Sequence, residues 1–524
     1  MERDEMKRLM DENPQLREKL FARGFLFTTA PVSENEYPFY GLWNKTEING
    51  ATLLVSPQES WYIHRSGEYT MIFVGHAYDP FSMESDENAL LADLCEKLRH
   101  SVSCFIEKLN QLTGVFTLIW MSENSIHVVG DAAGMQTTFY ANVGRNYFIS
   151  SHTNLIGDLL GLKWMPYVKR LAKYRFFPLL GNSLPGDLTQ FENVKRLVPN
   201  HYITFGNENW ESRRFYWPAQ LPLSREEIVV RSADLLHKNL DLIAEKWKTP
   251  AISMTGGCDS KTTLACANGL YDQFAYFSYE SSESEHVDAV AAKTICSELG
   301  LAHKTHVIPE SDADIDNVEA TRILLNWNTG DLRKNNANDV RKRAYFAKCS
   351  DFDVEVKSWA SEVGRAYYSK RFHGRKCFGE KPTPRACTTL YKFFLHNRKL
   401  VRETDRIFAE YLQKFFRQPQ ENALPWQEQF FWEFRMPAWN GLVITGEHRY
   451  SYDITIPYNN RKLLELLLSA SLEDRISDEI YCRIREYMNP AIDKTGIAVT
   501  NLKHTERRAR FENLYWSIHS KVPF

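Results

Sequence analysis

The sequence predicts two folded parts: an N-terminal α+β part with antiparallel sheet, followed by an α/β part built on a parallel sheet. Three observations lead to this prediction. The chain has 524 residues, which is more than one hydrophobic core usually serves. Short β-rich runs dominate up to about residue 150. From about residue 225, apolar strands alternate with helical segments, which is the pattern of βαβ units.

Composition narrows the class of protein. The chain carries 64 basic and 66 acidic residues, a formal net charge of −2, so it has no electrostatic field that would attract nucleic acid or an anionic membrane. No segment approaches 18 consecutive apolar residues, and the N-terminus is charged where a secretory signal needs an apolar run. We therefore expect a cytoplasmic enzyme that binds neither nucleic acid nor membranes.

The nine cysteines are scattered singly, with no CxxC pair and no spacing typical of metal ligands. We expect them to be reduced, and most of them to be small buried hydrophobic residues.

The N-terminal elements follow from periodicity and turn residues. A polar helix is predicted within residues 1–22, and a longer amphipathic helix within residues 88–112. The predicted strands, each bounded by Gly, Asn, Asp or Ser, are ATLLVS, SWYIH, YTMIFVG, GVFTLIWM, SIHVVGD, TTFYANV and NYFISS. A turn-rich, aromatic stretch at 181–217 indicates a connector, so the predicted domains are 1–217 and 218–524.

In the second part the predicted helices are REEIVVRSADLLHKNLDLIAEKW, SKTTLACANGL and SEHVDAVAAKTICSELG, and the predicted strands are PAISM, QFAYFSY and HKTHVI. Their alternation predicts a parallel sheet. Beyond about residue 385 the chain is predicted to be mainly helical and is rich in aromatic residues.

The segment TGGCDS lies between a predicted strand and a predicted helix, where the helix presents free N–H groups and a positive dipole end. We expect Gly256 and Gly257 to allow positive φ and to form a concave nest for phosphate. Thr255 and Ser260 add hydroxyl donors. Asp259 is expected to cap the helix or to hold a Mg²⁺ ion shared with the phosphates. The alternative is an ordinary glycine-containing turn with Asp259 as N-cap.

This segment is neither a Walker P-loop nor GxGxxG. It resembles the SGGxDS signature of the PP-loop ATP pyrophosphatases, with Thr255 in place of the first serine. The resemblance implies that ATP and Mg²⁺ bind here and that ATP is cleaved to AMP and pyrophosphate as a carboxyl or carbonyl oxygen is adenylated. It also implies that Phe277, Ser278 and Tyr279, at the end of the next strand, receive the adenine. Asp288 fits a helix-start role and a functional role equally well.

The order of the two parts resembles the asparagine synthetase family, in which a class II glutamine amidotransferase domain precedes a synthetase domain. Matching positions in the first part are Gly114, Phe116, Asp131, Gly134, Tyr140 and Ser151. The resemblance implies an Ntn-type αββα sandwich over 1–217. Over 218–524 it implies a PP-loop parallel-sheet domain of the adenine nucleotide alpha hydrolase type with a helical C-terminal part.

The sequence departs from that family at its first active site. Class II amidotransferases use an N-terminal cysteine whose own α-amine serves as base. Here the chain begins Met1-Glu2-Arg3, and the first cysteine, Cys95, lies inside a predicted helix. We therefore expect glutaminase activity to be lost and the domain to serve as a scaffold or a partner surface.

A second departure lies in the synthetase part, where VEVKSWASEVGRAYY stands in place of the family's glycine-rich SGEGxDExFGGY loop. Glu362 takes the place of the family's acidic residue. We expect it to orient or deprotonate the attacking amine, or to help bind Mg²⁺, and Arg365 to hold a substrate carboxylate. The alternative is a local helix ion pair. A late cation near the pyrophosphate is assigned to Lys503.

The resemblance thus implies an ATP-dependent, AMP-forming ligase that joins a small-molecule or peptide carboxylate to ammonia or an amine. Three alternatives remain at this stage: an intramolecular cyclase like the β-lactam synthetases or lasso-peptide cyclases, a glutamine-hydrolysing asparagine synthetase, and a catalytically silent ATP-binding or regulatory protein. Whether the chain acts alone or as a homodimer also stays open.

Overall fold

The structure is a computed structural model that describes residues 2–175, 177–178, 183–206, 209–332, 335–349, 351–371, 381–391, 397–416, 424–497 and 506–519. Two antiparallel sheets make up the N-terminal half. Their strands are β1 (Phe25–Thr28), β2 (Asn44–Ile48), β3 (Ala51–Val55), β4 (Trp61–Ser66), β5 (Tyr69–Tyr78), β6 (Thr113–Ser122), β7 (Ser125–Gly130), β8 (Phe139–Val143), β9 (Asn146–Ser150), β10 (Val194–Arg196), β11 (His201–Gly206) and β12 (Asn209–Arg214). The first sheet has the order β10-β8-β9-β1-β3-β2, and the second has the order β12-β11-β7-β6-β5-β4.

The two sheets pack face to face because their apolar residues alternate along the strands. Phe25 and Phe27 of β1 share one buried core with Ile72 of β5 and Ile119 of β6. The antiparallel architecture predicted for this half is confirmed. Strands β1, β2, β10, β11 and β12 go beyond the predicted set; β2 and β12 are polar edge strands, which carry too little apolar periodicity to be recognised.

Helices cover both outer faces of this pair of sheets. They are α1 (Arg3–Glu12), α2 (Glu87–His100), α3 (Val102–Leu109), α4 (Thr153–Leu160) and α5 (Pro166–Ala172). Leu94 of α2 and Phe105 of α3 pack with Phe73 of the second sheet, whereas Leu155 of α4 lies in the same core as Leu26 of the first sheet. The half is therefore layered helix, sheet, sheet, helix.

Two predicted helices are shorter than expected. The single helix predicted within 88–112 is divided, because the hydroxyl of Ser101 accepts a hydrogen bond from the Cys104 N–H at 3.1 Å and starts α3 as its N-cap. Near the N-terminus, α1 ends at Glu12, and Pro14 opens a separate 3₁₀ helix, Pro14–Lys19.

The second half contains a five-stranded sheet whose strands all run parallel. They are β13 (Pro250–Ser253), β14 (Ala275–Glu280), β15 (His303–Val307), β16 (Val354–Val356) and β17 (Asp453–Thr455), in the order β15-β14-β13-β16-β17. The parallel sheet predicted from βαβ alternation is thus confirmed. The helices that precede or connect these strands are α6 (Arg225–Lys246), α7 (Cys258–Cys266), α8 (Glu283–Glu298), α9 (Val318–Asn328) and α10 (Ala337–Phe346).

The remainder of the second half is mainly helical, as predicted. Its α-helices are α11 (Tyr367–Arg371), α12 (Pro384–Tyr391), α13 (Arg398–Phe415), α14 (Trp426–Phe430), α15 (Leu442–Gly446), α16 (Arg461–Leu468), α17 (Leu472–Ser477), α18 (Glu479–Met488) and α19 (Glu506–His519). A π-helix spans Phe431–Gly441. Short 3₁₀ helices span Tyr271–Gln273, Asp312–Asp314, Ser361–Arg365, His448–Tyr450 and Pro490–Asp493.

Buried polar contacts join the two halves. The side-chain amide of Asn459 donates to the Gly114 carbonyl at 2.6 Å and accepts from the Ala133 N–H at 2.9 Å. The Trp432 indole donates to the Ala132 carbonyl at 2.8 Å, so this tryptophan is a packing residue. Within the described ranges, no helix has the length and apolar character needed to span a bilayer.

Candidate functional site

The candidate site lies where the order of the parallel sheet reverses. From β13 the chain proceeds outward through β14 and β15 and then returns to place β16 on the other side of β13. A crevice forms at the carboxyl ends of two adjacent strands when the connections that follow them lead in opposite directions. A cavity of about 330 Å³ opens there. Its lining residues are Ser253, Met254, Thr255, Asp259, Ser260, Ser278, Tyr279, Glu285, Asp288, Lys357, Ser358, Trp359 and Glu362.

The TGGCDS loop joins β13 to α7 and is held by its own hydroxyl groups. Thr255 Oγ1 and Ser260 Oγ lie 2.9 Å apart, and Ser260 Oγ donates to the Thr255 carbonyl at 3.0 Å. The Gly257 N–H donates to Thr255 Oγ1 at 3.1 Å. The loop therefore delivers the first turn of α7, with its unpaired N–H groups, to the cavity.

The glycines of this loop differ from the expectation. Gly257 has φ −75° and ψ 162°, and neither Gly256 nor Gly257 has a positive φ. The reason is that Gly257 is the N-cap of α7, a position that takes extended backbone. Asp259 is accordingly not the cap but a first-turn residue. A Cβ on Gly257 would lie 3.1 Å from Thr255 Oγ1. Glycine is therefore favoured here by the lack of space for a side chain and not by a left-handed backbone.

Asp259 and Arg365 form an ion pair behind the cavity. Arg365 Nη1 donates to Asp259 Oδ2 at 2.5 Å, while its Nε and Nη2 donate to the two oxygens of Asp478, each at 2.8 Å. Lys370 also contacts Asp478. Because Asp478 already occupies the bidentate side of the guanidinium, Arg365 is placed to position Asp259 rather than to hold a substrate carboxylate.

Two shielded carboxylate oxygens in the cavity wall have no hydrogen-bond partner among the described residues: Asp259 Oδ1 and Glu362 Oε2. Burial raises the pKa of Asp259, against the effect of Arg365. Burial, together with the nearby Asp259, raises the pKa of Glu362 to about 7. Unpartnered carboxylate oxygens are the ligands that Mg²⁺ prefers. These oxygens therefore fit a divalent cation, with Asp259 supplied by the TGGCDS loop itself.

Two of the three residues expected to receive adenine lie at the cavity. Ser278 and Tyr279 line the cavity, and Ser278 Oγ donates to the Met254 carbonyl at 2.6 Å. Phe277 is buried outside the cavity lining, with its ring stacked on Phe352 at 4.7 Å. Its carbonyl accepts the Met254 N–H at 2.8 Å.

The position of Asp288 distinguishes between a helix-start role and a functional role. The N-cap of α8 is Ser282, so Asp288 does not cap that helix. Instead, Asp288 Oδ1 accepts a hydrogen bond from the Gly256 N–H at 3.2 Å. Burial raises the pKa of this carboxyl group. Asp288 therefore ties α8 to the phosphate loop.

Sequence reasoning missed the cation of this cavity, Lys357, which follows β16 directly. Its Nζ donates to Glu355 Oε1 at 2.7 Å and lies 5.2 Å from the centre of the Trp359 ring. Burial acts to raise the pKa of Glu355, but Lys357 outweighs it, and the pKa is lowered. The only signal was a lysine at the end of a short apolar strand, VEVK. Lys503, the cation chosen from the sequence, lies outside the described residues.

Comparisons with known proteins do not assign a family. No protein-family model matches the chain, and no curated protein matches it. Among solved structures, one similar chain is described as the allosteric regulatory enzyme of purine biosynthesis. It is 12% identical with a TM-score of 0.24, and the match covers 56% of this chain and 63% of that chain. Another is glutamine phosphoribosylpyrophosphate amidotransferase from B. subtilis complexed with ADP and GMP. It is 10% identical with a TM-score of 0.23, covering 68% of this chain and 73% of that one.

Proposed function

We propose that this protein is an ATP-dependent, AMP-forming ligase that adenylates a carboxylate and joins it to ammonia or an amine. One observation carries the proposal: the TGGCDS loop and Lys357 meet the unpartnered oxygens of Asp259 and Glu362 in a single cavity at the switch point of the sheet. Such a cavity offers donors for phosphate on one side and acceptors for a cation or a proton on the other.

The phosphate side consists of the first turn of α7, the hydroxyl groups of Thr255 and Ser260, and the ammonium group of Lys357. N–H groups at a helix N-terminus and a lysine both favour bound anions. Asp259 Oδ1 is the oxygen that would hold Mg²⁺, which neutralises phosphate charge when it is bound. Arg365 keeps the Asp259 carboxylate fixed through its other oxygen.

The acceptor side is assigned to Glu362. With a pKa near 7, this side chain exchanges protons in the pH range in which general bases work best. We assign to it the proton that an attacking amine releases when the carbon–nitrogen bond forms. Trp359, next to Lys357 in the cavity wall, helps to exclude water, which would otherwise hydrolyse an acyl adenylate.

The test is carboxylate-dependent exchange of radiolabelled pyrophosphate into ATP. We expect the wild type to exchange with at least one member of a broad carboxylate panel, and Asp259→Asn to lose exchange. Asp272→Asn is the matched control, because Asp272 is an exposed residue in the short 3₁₀ helix that follows α7. A wild type that neither exchanges nor binds ATP would refute the proposal.

Mass spectrometry of the product separates amide formation from cyclisation. Joining to ammonia or an amine adds the mass of the amine less one water, whereas an intramolecular cyclase only removes one water. Glutamine as ammonia donor is disfavoured, because Cys95 is fully buried within α2 and burial raises its thiol pKa.

A silent ATP-binding protein is the second candidate, and one observation favours it. The Gly256 N–H, a group that would face phosphate, already donates a hydrogen bond to Asp288. Equilibrium ATP binding by the wild type, without pyrophosphate exchange or release on any carboxylate, is the result that this candidate predicts.

A further inference from the structure

A second group of ligand atoms lies at the edge of the parallel sheet, among residues that do not line the cavity. One ligand atom from each of His306, Cys349 and Asp351 falls within 4.8 Å of the other two. His306 belongs to the edge strand β15, while Cys349 follows α10 and Asp351 precedes β16. The single cysteines showed no metal-ligand spacing in the sequence, because this group forms only when residues from separate parts of the chain meet beside β15.

His306 is held as a metal-binding imidazole would be. The side chain is buried, with 3% of the residue exposed, and its ring packs against Phe346 with a centroid distance of 5.1 Å. Nδ1 lies 3.3 Å from the Tyr345 hydroxyl. Nε2 is shielded from solvent and has no hydrogen-bond partner among the described residues. In metal sites, one ring nitrogen is held by such a partner and the other binds the ion.

The unpartnered nitrogen faces the other two groups. His306 Nε2 lies 3.5 Å from Asp351 Oδ2, which is too long for a good hydrogen bond. Two ligands in a tetrahedron around zinc, each about 2.0–2.3 Å from the ion, are about 3.3–3.8 Å apart. The separation between histidine and aspartate already suits that geometry, and the cysteine has at most about 1 Å to move.

We propose that His306, Cys349 and Asp351 form a binding site for a zinc-type divalent ion, with water as the fourth ligand. Imidazole, thiolate and carboxylate are the zinc ligands found in proteins, and three protein ligands with one open position are a recurring arrangement. The half-exposed Cys349 and the exposed Asp351 leave the open position accessible from solvent.

Lys304 competes with the ion. Its ammonium group contacts the Asp351 carboxylate directly, and an ion at the same oxygen would repel it. Because the Lys304 side chain is 60% exposed, it is free to turn into solvent when the ion binds. Lys304→Met should therefore strengthen metal binding, an effect that a purely structural role for these residues would not produce.

The experiment uses the full-length chain, stripped of metal with a chelator and titrated with Co²⁺ alone and then with Zn²⁺. We expect one Co²⁺ per chain to bind with a thiolate-to-cobalt charge-transfer band, and that band to be lost when Zn²⁺ is added. Cys349→Ser should abolish the band. His306→Gln and Asp351→Asn should weaken binding by about 10- to 100-fold. Cys104→Ser, which alters another half-exposed free cysteine, is the control.

The absence of a charge-transfer band in wild type would overturn the proposal, as would a band that persists in Cys349→Ser. If Cys349→Ser fails to fold, Lys304→Met serves as the test. Unchanged or weaker cobalt binding by Lys304→Met would also overturn the proposal. This site shares no residue with the ATP cavity, so failure of pyrophosphate exchange leaves the metal experiment interpretable.

Discussion

Arg365 Nη1 donates to Asp259 Oδ2 at 2.5 Å, and this bond fixes the first-turn aspartate of the phosphate loop to the 3₁₀ helix Ser361–Arg365. The remaining guanidinium nitrogens hold Asp478, the residue that precedes α18. One cation thus links the loop after β13, the segment after β16 and the start of α18. Removing Arg365 leaves the carboxylates of Asp259 and Asp478 with less positive charge to offset their repulsion.

Replacing Arg365 with methionine is expected to lower the free energy of unfolding by about 2 kcal/mol. Loss of one partner from a fully buried ion pair costs more, but the side chains here are between 21% and 24% exposed, so solvent screens part of the effect. Urea denaturation at pH 7 measures the change. Arg483→Met is the matched control: Arg483 is 45% exposed and pairs with Glu479 one helical turn away, so its loss should stay below about 0.5 kcal/mol. Equal losses in the two variants would contradict this account.

Glu362 is expected to make stability depend on pH. Its pKa rises from 4.5 to about 7 in the folded protein, so the folded state binds this proton more tightly than the unfolded state does. The resulting stabilisation is fully present below about pH 4.5 and is lost as the pH rises through about 7. Wild type should therefore lose stability relative to Glu362→Gln across this window.

Urea midpoints of wild type and Glu362→Gln, measured in steps from about pH 4.5 to about pH 8, test this sign. Glu486→Gln is the control, because Glu486 is 69% exposed; its difference from wild type should not vary with pH. A constant difference between Glu362→Gln and wild type would refute the assigned titration.

Asn459 is expected to be a sensitive contact between the two halves. Asn459→Ala removes the amide that donates to the Gly114 carbonyl and leaves the Ala133 N–H with only its 3.2 Å bond to Asp131 Oδ1, which should cost about 2 kcal/mol. The control is Asn268→Ala, which removes one exposed bond to the Met488 carbonyl and should cost less than about 0.5 kcal/mol. Thermal unfolding of both variants decides the point, and similar melting temperatures would show that the halves do not depend on Asn459.

The architecture followed from the sequence where periodicity is strong. Strands such as YTMIFVG and PAISM, and the alternation of strand and helix after residue 225, are local signals that burial on one or both faces imposes. The position of TGGCDS at the end of β13 followed from the same signals. The TGGCDS side of the candidate site can therefore be predicted from the sequence.

The opposite wall of the cavity could not be predicted from these local signals. Lys357 follows a three-residue strand, β16, and Asp478 precedes α18, more than a hundred residues downstream. Lys357 reaches the cavity because β16 lies beside β13, where the strand order reverses. Asp478 reaches Arg365 from the start of α18. Local periodicity reports neither arrangement. The assignment of Arg365 to a substrate carboxylate rested on its position in the segment that replaces the family's glycine-rich loop. It did not anticipate that Asp478 occupies the bidentate side of the guanidinium.

Gly364 lies inside the segment that carries Glu362 and Arg365, and its substitution connects packing to the site. A Cβ at this position would lie 2.7 Å from Leu467 Cβ and 2.9 Å from the Tyr481 hydroxyl oxygen, so Gly364→Ala must displace the 3₁₀ helix. We expect a loss of stability of about 1–3 kcal/mol, together with weaker ATP binding by equilibrium titration because Glu362 moves with the helix. In Gly130→Ala the new Cβ would meet Leu197 Cδ2 at an ordinary 3.5 Å, so this control should change neither quantity appreciably. If Gly364→Ala has the same stability and the same ATP affinity as wild type, then close packing against Leu467 does not position the acidic wall of the cavity.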